Sequence, residues 1–203
     1  GIKIIIFVDL ILGPTLTLIV FKPGKPGLKT DLTLIGVFQT VCLLAGTYVV
    51  WSERPIAMVF QDGQFFSMSR DDFTAFGVEV PDLSRFNQPS PVWVSVAISK
   101  DPTEQSELRK RALETKQPLR TMTELYVPFS TDHLNFDKDP YPNDRILDRD
   151  RDTQDVPRWL AEHGGTLEDY AFYRFGTRYR FIFIGADRAT HRIKGILKTP
   201  GPL

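Results

Sequence analysis

The chain is poor in the residues that build metal and redox sites. It has one cysteine and three histidines among 203 residues. A single Cys excludes a disulfide framework and any Cys-based zinc site. His133, His163 and His191 have neither His-x₃-His spacing nor a Cys partner, so no metal and no cofactor is expected. Charge of one sign is lacking too: 25 Lys+Arg offset 25 Asp+Glu. A nucleic-acid binder would carry a basic stripe, so no nucleic-acid partner is expected. There is no fixed-period repeat, no low-complexity segment, no Gly-rich phosphate cradle and no Gly-x-Ser-x-Gly elbow.

Two short strings imitate chemistry. Ser130-Thr131-Asp132-His133 contains hydrolase letters, but a triad is defined by geometry and not by adjacency. It reads as a polar loop, no catalytic residue is assigned, and the protein is expected not to be an enzyme. Asp148-Arg149-Asp150-Arg151-Asp152 alternates like a calcium loop. Thr153 stands where that motif needs Gly, and Trp159 where it needs Glu. A solvated loop is expected, with calcium in 137–155 left open.

What the sequence does have is grease at one end. Residues 1–21 carry only Lys3 and Asp9 as charges, and residues 32–51 carry none. Each run of about 20 residues makes ~30 Å of helix, the thickness of a bilayer core. The expectation is a transmembrane hairpin over 1–52, with helices at about 2–21 and 32–51 and a turn over 22–31. The turn holds two Pro-Gly pairs and Lys22, Lys25 and Lys29 against Asp31 alone. By the positive-inside rule it is cytoplasmic. Residues 53–203 then lie outside the cytoplasm, which in a Gram-negative cell is the periplasm. Tyr48 and Trp51 sit where interfacial aromatic anchors belong. The chain starts at Gly1, and Lys3 falls near the outer face, so a further upstream segment with at least one more membrane helix is expected.

Residues 53–203 read as one α+β domain with an antiparallel sheet and flanking helices. Ile56–Phe60 and Gln64–Met68 flank Asp62-Gly63, a hairpin signal. Residues 71–77 and Asp82–Arg85 read as helical turns. Residues 91–98 form the best strand, with Val92, Val94 and Val96 on one face by period two. Asp101-Pro102 starts a helix as N-cap and N1, with Glu104 as a capping-box partner. That helix runs to about Lys116, with Leu108, Ala112 and Leu113 as its apolar stripe. Residues 130–152 look irregular, 156–162 helical and 167–172 a turn. A closing hairpin is expected from 178–184 and 192–197.

Asp9 is the informative charge. A carboxylate deep in lipid costs a few kcal/mol and is commonly paired or turned to a protein interior. Gly13 and Pro14 allow a kink and close helix approach. Folding the hairpin about its turn sets Asp9 level with Leu44. Thr40, Gly46 and Thr47 are then the expected helix–helix contact. A contact with another membrane protein is the alternative.

The string Val8-Asp-Leu-Ile-Leu-Gly13-Pro14-Thr-Leu-Thr-Leu-Ile-Val-Phe21-Lys-Pro-Gly-Lys25 resembles the signature of the type IV pilin accessory proteins (the TfpX/TfpZ group). Leu28–Leu32, Gln39, Gly46-Thr47-Tyr48 and Glu53–Phe60 are similar to the family's second stretch. The resemblance covers residues 1–60. It implies a multi-pass inner-membrane protein with a periplasmic domain, acting as a non-enzymatic accessory factor or chaperone in pilin stability, assembly or pilus dynamics. The implied partners are type IV pilin, other inner-membrane components of the pilus machinery, and membrane lipid. The family brings no catalytic residue. The competing reading is a membrane-anchored periplasmic ligand-binding or sensor domain.

Overall fold

The computed structural model describes residues 26–99, 101–150, 154–176 and 181–198. The expected first membrane helix, with Asp9, Gly13 and Pro14, lies outside them. The chain divides into two compact units at Arg54/Pro55.

The first unit contributes α1, Leu28–Ser52, 25 residues long. Gly27 precedes it at φ 86, a left-handed conformation that glycine adopts freely. The helix begins earlier than expected, so Leu28–Asp31 are helical and not part of the turn. Nothing in those four residues breaks a helix, and both Pro-Gly pairs lie before them. At about 37 Å, α1 is long and apolar enough to cross a membrane. Leu34, Phe38 and Leu44 are exposed along it.

The second unit is built on a seven-stranded mixed sheet. β1 (Pro55–Gln61) and β2 (Gln64–Ser69) form the hairpin marked by Asp62-Gly63. β3 (Val92–Val96) lies parallel to β1, and β4 (Tyr126–Pro128) antiparallel to β3. β5 (Tyr170–Gly176) lies parallel to β2 and is followed by β6 (Phe181–Asp187) and β7 (Ile193–Leu197), each antiparallel to its predecessor. The order is β4-β3-β1-β2-β5-β6-β7. The expected all-antiparallel sheet is therefore corrected at two joints. Local pattern identifies strands, but a parallel partner is reached only through a long crossover that the pattern does not reveal.

β5 replaces the turn expected over 167–172, of which only Leu167–Asp169 is a helical turn. Its run of Tyr, Ala, Phe, Tyr, Arg and Phe is buried on both faces, so it does not alternate. The stretch 130–152 is more ordered than its composition suggests. It contains α4, Asn143–Asp150, whose single fully buried apolar side chain is Ile146. α2 (Arg70–Ala75) starts at a capping box between Ser69 and Asp72. α3 (Pro102–Glu114) starts at Asp101, and α5 spans Asp155–His163.

One sheet face carries Ala57, Val59, Met68 and the three valines of β3, packed under α2, α3 and the turns that follow α3. Farther along the same face, Phe172, Phe183 and Leu197 meet Ile146 of α4 and Val156 and Trp159 of α5. The other face is aromatic: Phe60, Phe65, Tyr173 and Phe175 are buried there, with Trp93, Phe129 and Phe136 packed against them. Burying a side chain of this size contributes about 1.5–3 kcal/mol. The segment from Phe129 to Asp139 covers this face without a long helix of its own. On α3, Leu108 and Ala112 reach the core. Leu113, expected in the same stripe, is 79% exposed, because it lies about 100° around the helix from Ala112.

Candidate functional site

Three places deserve comparison. The first is α1. Thr40 donates to the carbonyl of Gly36 at 2.8 Å and Thr47 to that of Leu43 at 2.8 Å. Both hydroxyl protons are thus used inside their own helix, in the i−4 back-bond common for threonine. Thr33 repeats the pattern on Lys29. Gly46 lies in the same helix, one residue before Thr47.

The second is the histidine that the hydrolase-like string contains. Ser130 caps the turn Thr131–His133. His133 Nδ1 lies 3.1 Å from the Ser130 backbone nitrogen and 2.9 Å from Ser95 Oγ on β3. A backbone N–H only donates, so Nδ1 is an acceptor and the neutral ring carries its proton on Nε2. The Ser95 hydroxyl then donates to Nδ1 as well. Ser130, the serine adjacent in sequence, is bonded instead to Asp132 at 2.9 Å. Nε2 has no hydrogen-bond partner among the described residues. A hydrolytic triad needs the base oriented by a third group and donors for an oxyanion. Here the imidazole shares one lone pair between two donors, and its effect is to fasten the cover segment to the sheet.

Arg188 fastens the same segment farther along. It donates to the Phe136 carbonyl at 2.6 Å and to the Tyr170 carbonyl at 3.1 Å. His191 stacks on Phe136 with ring centres 4.3 Å apart. Beneath lies Tyr173, fully buried, its hydroxyl without a partner among the described residues. Burial raises its pKa, nearby Asp139 and Asp137 add to the rise, and Arg188 opposes it.

The third is a cleft of about 520 Å³ between the β1–β2 turn and the end of α3. Arg109 of α3 grips Asp62 of the turn through two hydrogen bonds, 2.9 and 3.2 Å. Burial works against the Asp62 charge, but the bonds from Arg109 and Gln61 and the attraction of Arg109 outweigh it, holding the carboxyl below the usual range. On the far side of the turn, Asp139 has its pKa raised by burial and by the charge of Asp62.

The acidic string also found a use. Asp150 is buried, and its two oxygens accept the N–H groups of Asp155 at 2.7 Å and Val156 at 3.0 Å. It thereby caps the start of α5, satisfying two of the helix's orphan donors. Asp152 lies outside the described residues. Two of these links escape a reading of the sequence: Ser95 and His133 are 38 residues apart, and Asp62 and Arg109 are 47 apart. A visible signal existed only for the turn, in Asp62-Gly63. No family model, no curated protein and no solved structure matches this chain.

Proposed function

We propose that this protein is a non-enzymatic accessory factor of type IV pili in the inner membrane. In this reading it is multi-pass, with the Lys-rich turn cytoplasmic and the α+β body periplasmic. The observation that carries the proposal is α1, a 25-residue apolar helix joined to a compact body by Glu53 and Arg54 alone. That is the layout of a folded domain kept at a membrane. The resemblance of residues 1–60 to the pilin accessory proteins supplies the partner, and Asp9 with Gly13 and Pro14 the candidate intramembrane contact.

Deleting the protein is expected to lower surface pili and twitching motility, and restoring it should recover both. Normal pili and motility in the deletion strain would overturn the reading. The topology is tested by cysteine labelling in a Cys42→Ser background, since Cys42 is the one native thiol. A probe at Asp144 should react from outside in spheroplasts and a probe at Pro26 should not. A second reading, a membrane-anchored ligand-binding domain, is favoured by the cleft beside α3.

A further inference from the structure

The sheet has two edges, and they are not alike. β4 is three residues long and ends at Pro128, which has no N–H to offer. β7, Ile193–Leu197, is longer and free of proline, and β6 is its one neighbour in the sheet among the described residues. Alternate residues of an edge strand turn their N–H and C=O groups away from the sheet, unpaired. Ile193 pairs with Ala186 and Ile196 with Ile184, and both of those partners belong to the aromatic face. The two isoleucines continue that face past β6, where they are 37% and 47% exposed.

Charge on this edge is of one sign. No acidic residue follows Asp187 in the sequence, while Arg192, Lys194 and Lys198 are exposed along β7 and at its ends. Lys194 reaches Asp187 Oδ2 at 3.4 Å, but the other oxygen of that carboxylate already accepts the N–H groups of Ala189 and Thr190. Arg192 and Lys198 have no ion-pair partner among the described residues. An edge lysine and a ladder irregularity, here between Gly185 and Ala186, are devices that keep two like edges from joining. A second copy is disfavoured on that ground, because two β7 strands side by side would set cations against cations. An anionic lipid surface would answer the charges but lacks the alternating donors and acceptors of a strand. An extended chain with acidic side chains answers both, and its apolar side chains would cover the isoleucines.

We propose that β7 takes up an extended acidic segment of a partner polypeptide as one more strand of the sheet. Main-chain hydrogen bonds hold the segment, as in other cases of strand addition. Its carboxylates face Arg192, Lys194 and Lys198, and its apolar side chains lie beside Ile193 and Ile196. The segment need not belong to a pilin.

The test uses the full chain in neutral detergent micelles and the fluorescence anisotropy of three labelled peptides of equal length. One alternates Glu and Val, the second is the same sequence N-methylated along its backbone, and the third alternates Lys and Val. The Glu peptide should bind saturably and at least ~10-fold more tightly than either of the others, since one loses its backbone donors and the other its charge pairs. The double variant Arg192→Glu, Lys198→Glu changes two exposed residues that flank the strand. It should keep the parent's thermal stability, weaken the Glu peptide about 10-fold and let the Lys peptide bind. Equal binding of the N-methylated peptide overturns the proposal, because the backbone edge is then not used. So does equal binding of the Lys peptide, absence of saturable binding, or unchanged discrimination in the double variant. Full displacement of the Glu peptide by glycerol phosphate at constant ionic strength would also overturn it, marking a site for a lipid headgroup or a free anion.

Discussion

Gly185 and Gly195 face each other across β6 and β7, and Trp159 and His163 lie over them as a stacked pair, 4.1 Å between ring centres. A Cβ on Gly185 would stand 2.8 Å from Trp159 Cζ2 and 3.1 Å from Phe172 Cε1. Both are atoms of rigid, buried rings. Gly185→Ala is therefore expected to destabilise the body by about 1–3 kcal/mol, the usual cost of overpacking, as read by thermal or urea unfolding. A Cβ on Gly195 would meet His163 Nε2 at 3.2 Å and its other neighbours at 3.7 Å, so Gly195→Ala should cost less. Asp62 offers a test by pH. Its carboxyl is held below its unfolded value, so the stabilisation is complete above the unfolded pKa and is lost as pH falls through the folded one. Asp62→Asn should be less stable than the parent at pH 7, and the gap should close below about pH 3–4, near and below the ordinary carboxylate pKa. Asparagine tolerates the left-handed φ of 47 at this position. Both partners are about half exposed, with side-chain exposures of 50% and 40%, so the gap is small. Residues of this kind were partly legible. Asp-Gly announced the turn, but nothing local told that Arg109 would grip it or that Lys116 would turn left-handed.

α3 shows what an element owes to its ends. Its whole length carries no buried side chain, so propensity and capping matter more than packing. Asp101 accepts from the N–H groups of Thr103 at 2.7 Å and Glu104 at 3.4 Å, with Pro102 in the first turn. Asp101→Ala should cost about 1 kcal/mol and speed amide exchange across 102–114 before it affects the sheet. The sequence spelled this start clearly. It also suggested that Glu104 would close a capping box, whereas the Asp101 N–H goes to Ser99 Oγ at 3.2 Å. The β1–β2 hairpin, α5 and the closing hairpin were readable for the same reason, each being fixed by near neighbours, and β3 was readable from its alternating valines although its partners lie far along the chain. β5 and α4 were not. β5 is apolar on both faces and so has no period, and α4 is nearly all polar, with its burial decided by contacts far along the chain.

At the scale of the whole body, β4-β3-β1-β2 and β5-β6-β7 are joined by a short parallel pairing, Gln64–Phe66 with Arg174–Gly176. Phe65 sits in that joint, fully buried, its ring near those of Phe60, Trp93, Phe129 and Tyr173. Phe65→Ala should cost about 3–5 kcal/mol. Two natural reporters test whether the halves act together, Trp93 beside the joint and Trp159 on α5. In a Trp51→Phe background, single-tryptophan versions should share one urea midpoint in the parent. In Phe65→Ala both midpoints should fall together. Separate midpoints in the parent would show that the short seam does not couple the halves.

The strand that continues from α1 is β1, and β1 is neither edge of the sheet: β2 is bonded on one side and β3 on the other. Tension carried along the chain from the helix enters the body through this inner strand. That strand is held by two ladders at once, to β2 and to β3. A tether on β4 or β7 would instead concentrate the load on a single ladder. The short pairing between β2 and β5 lies one strand away from the strand through which the chain from α1 enters the body.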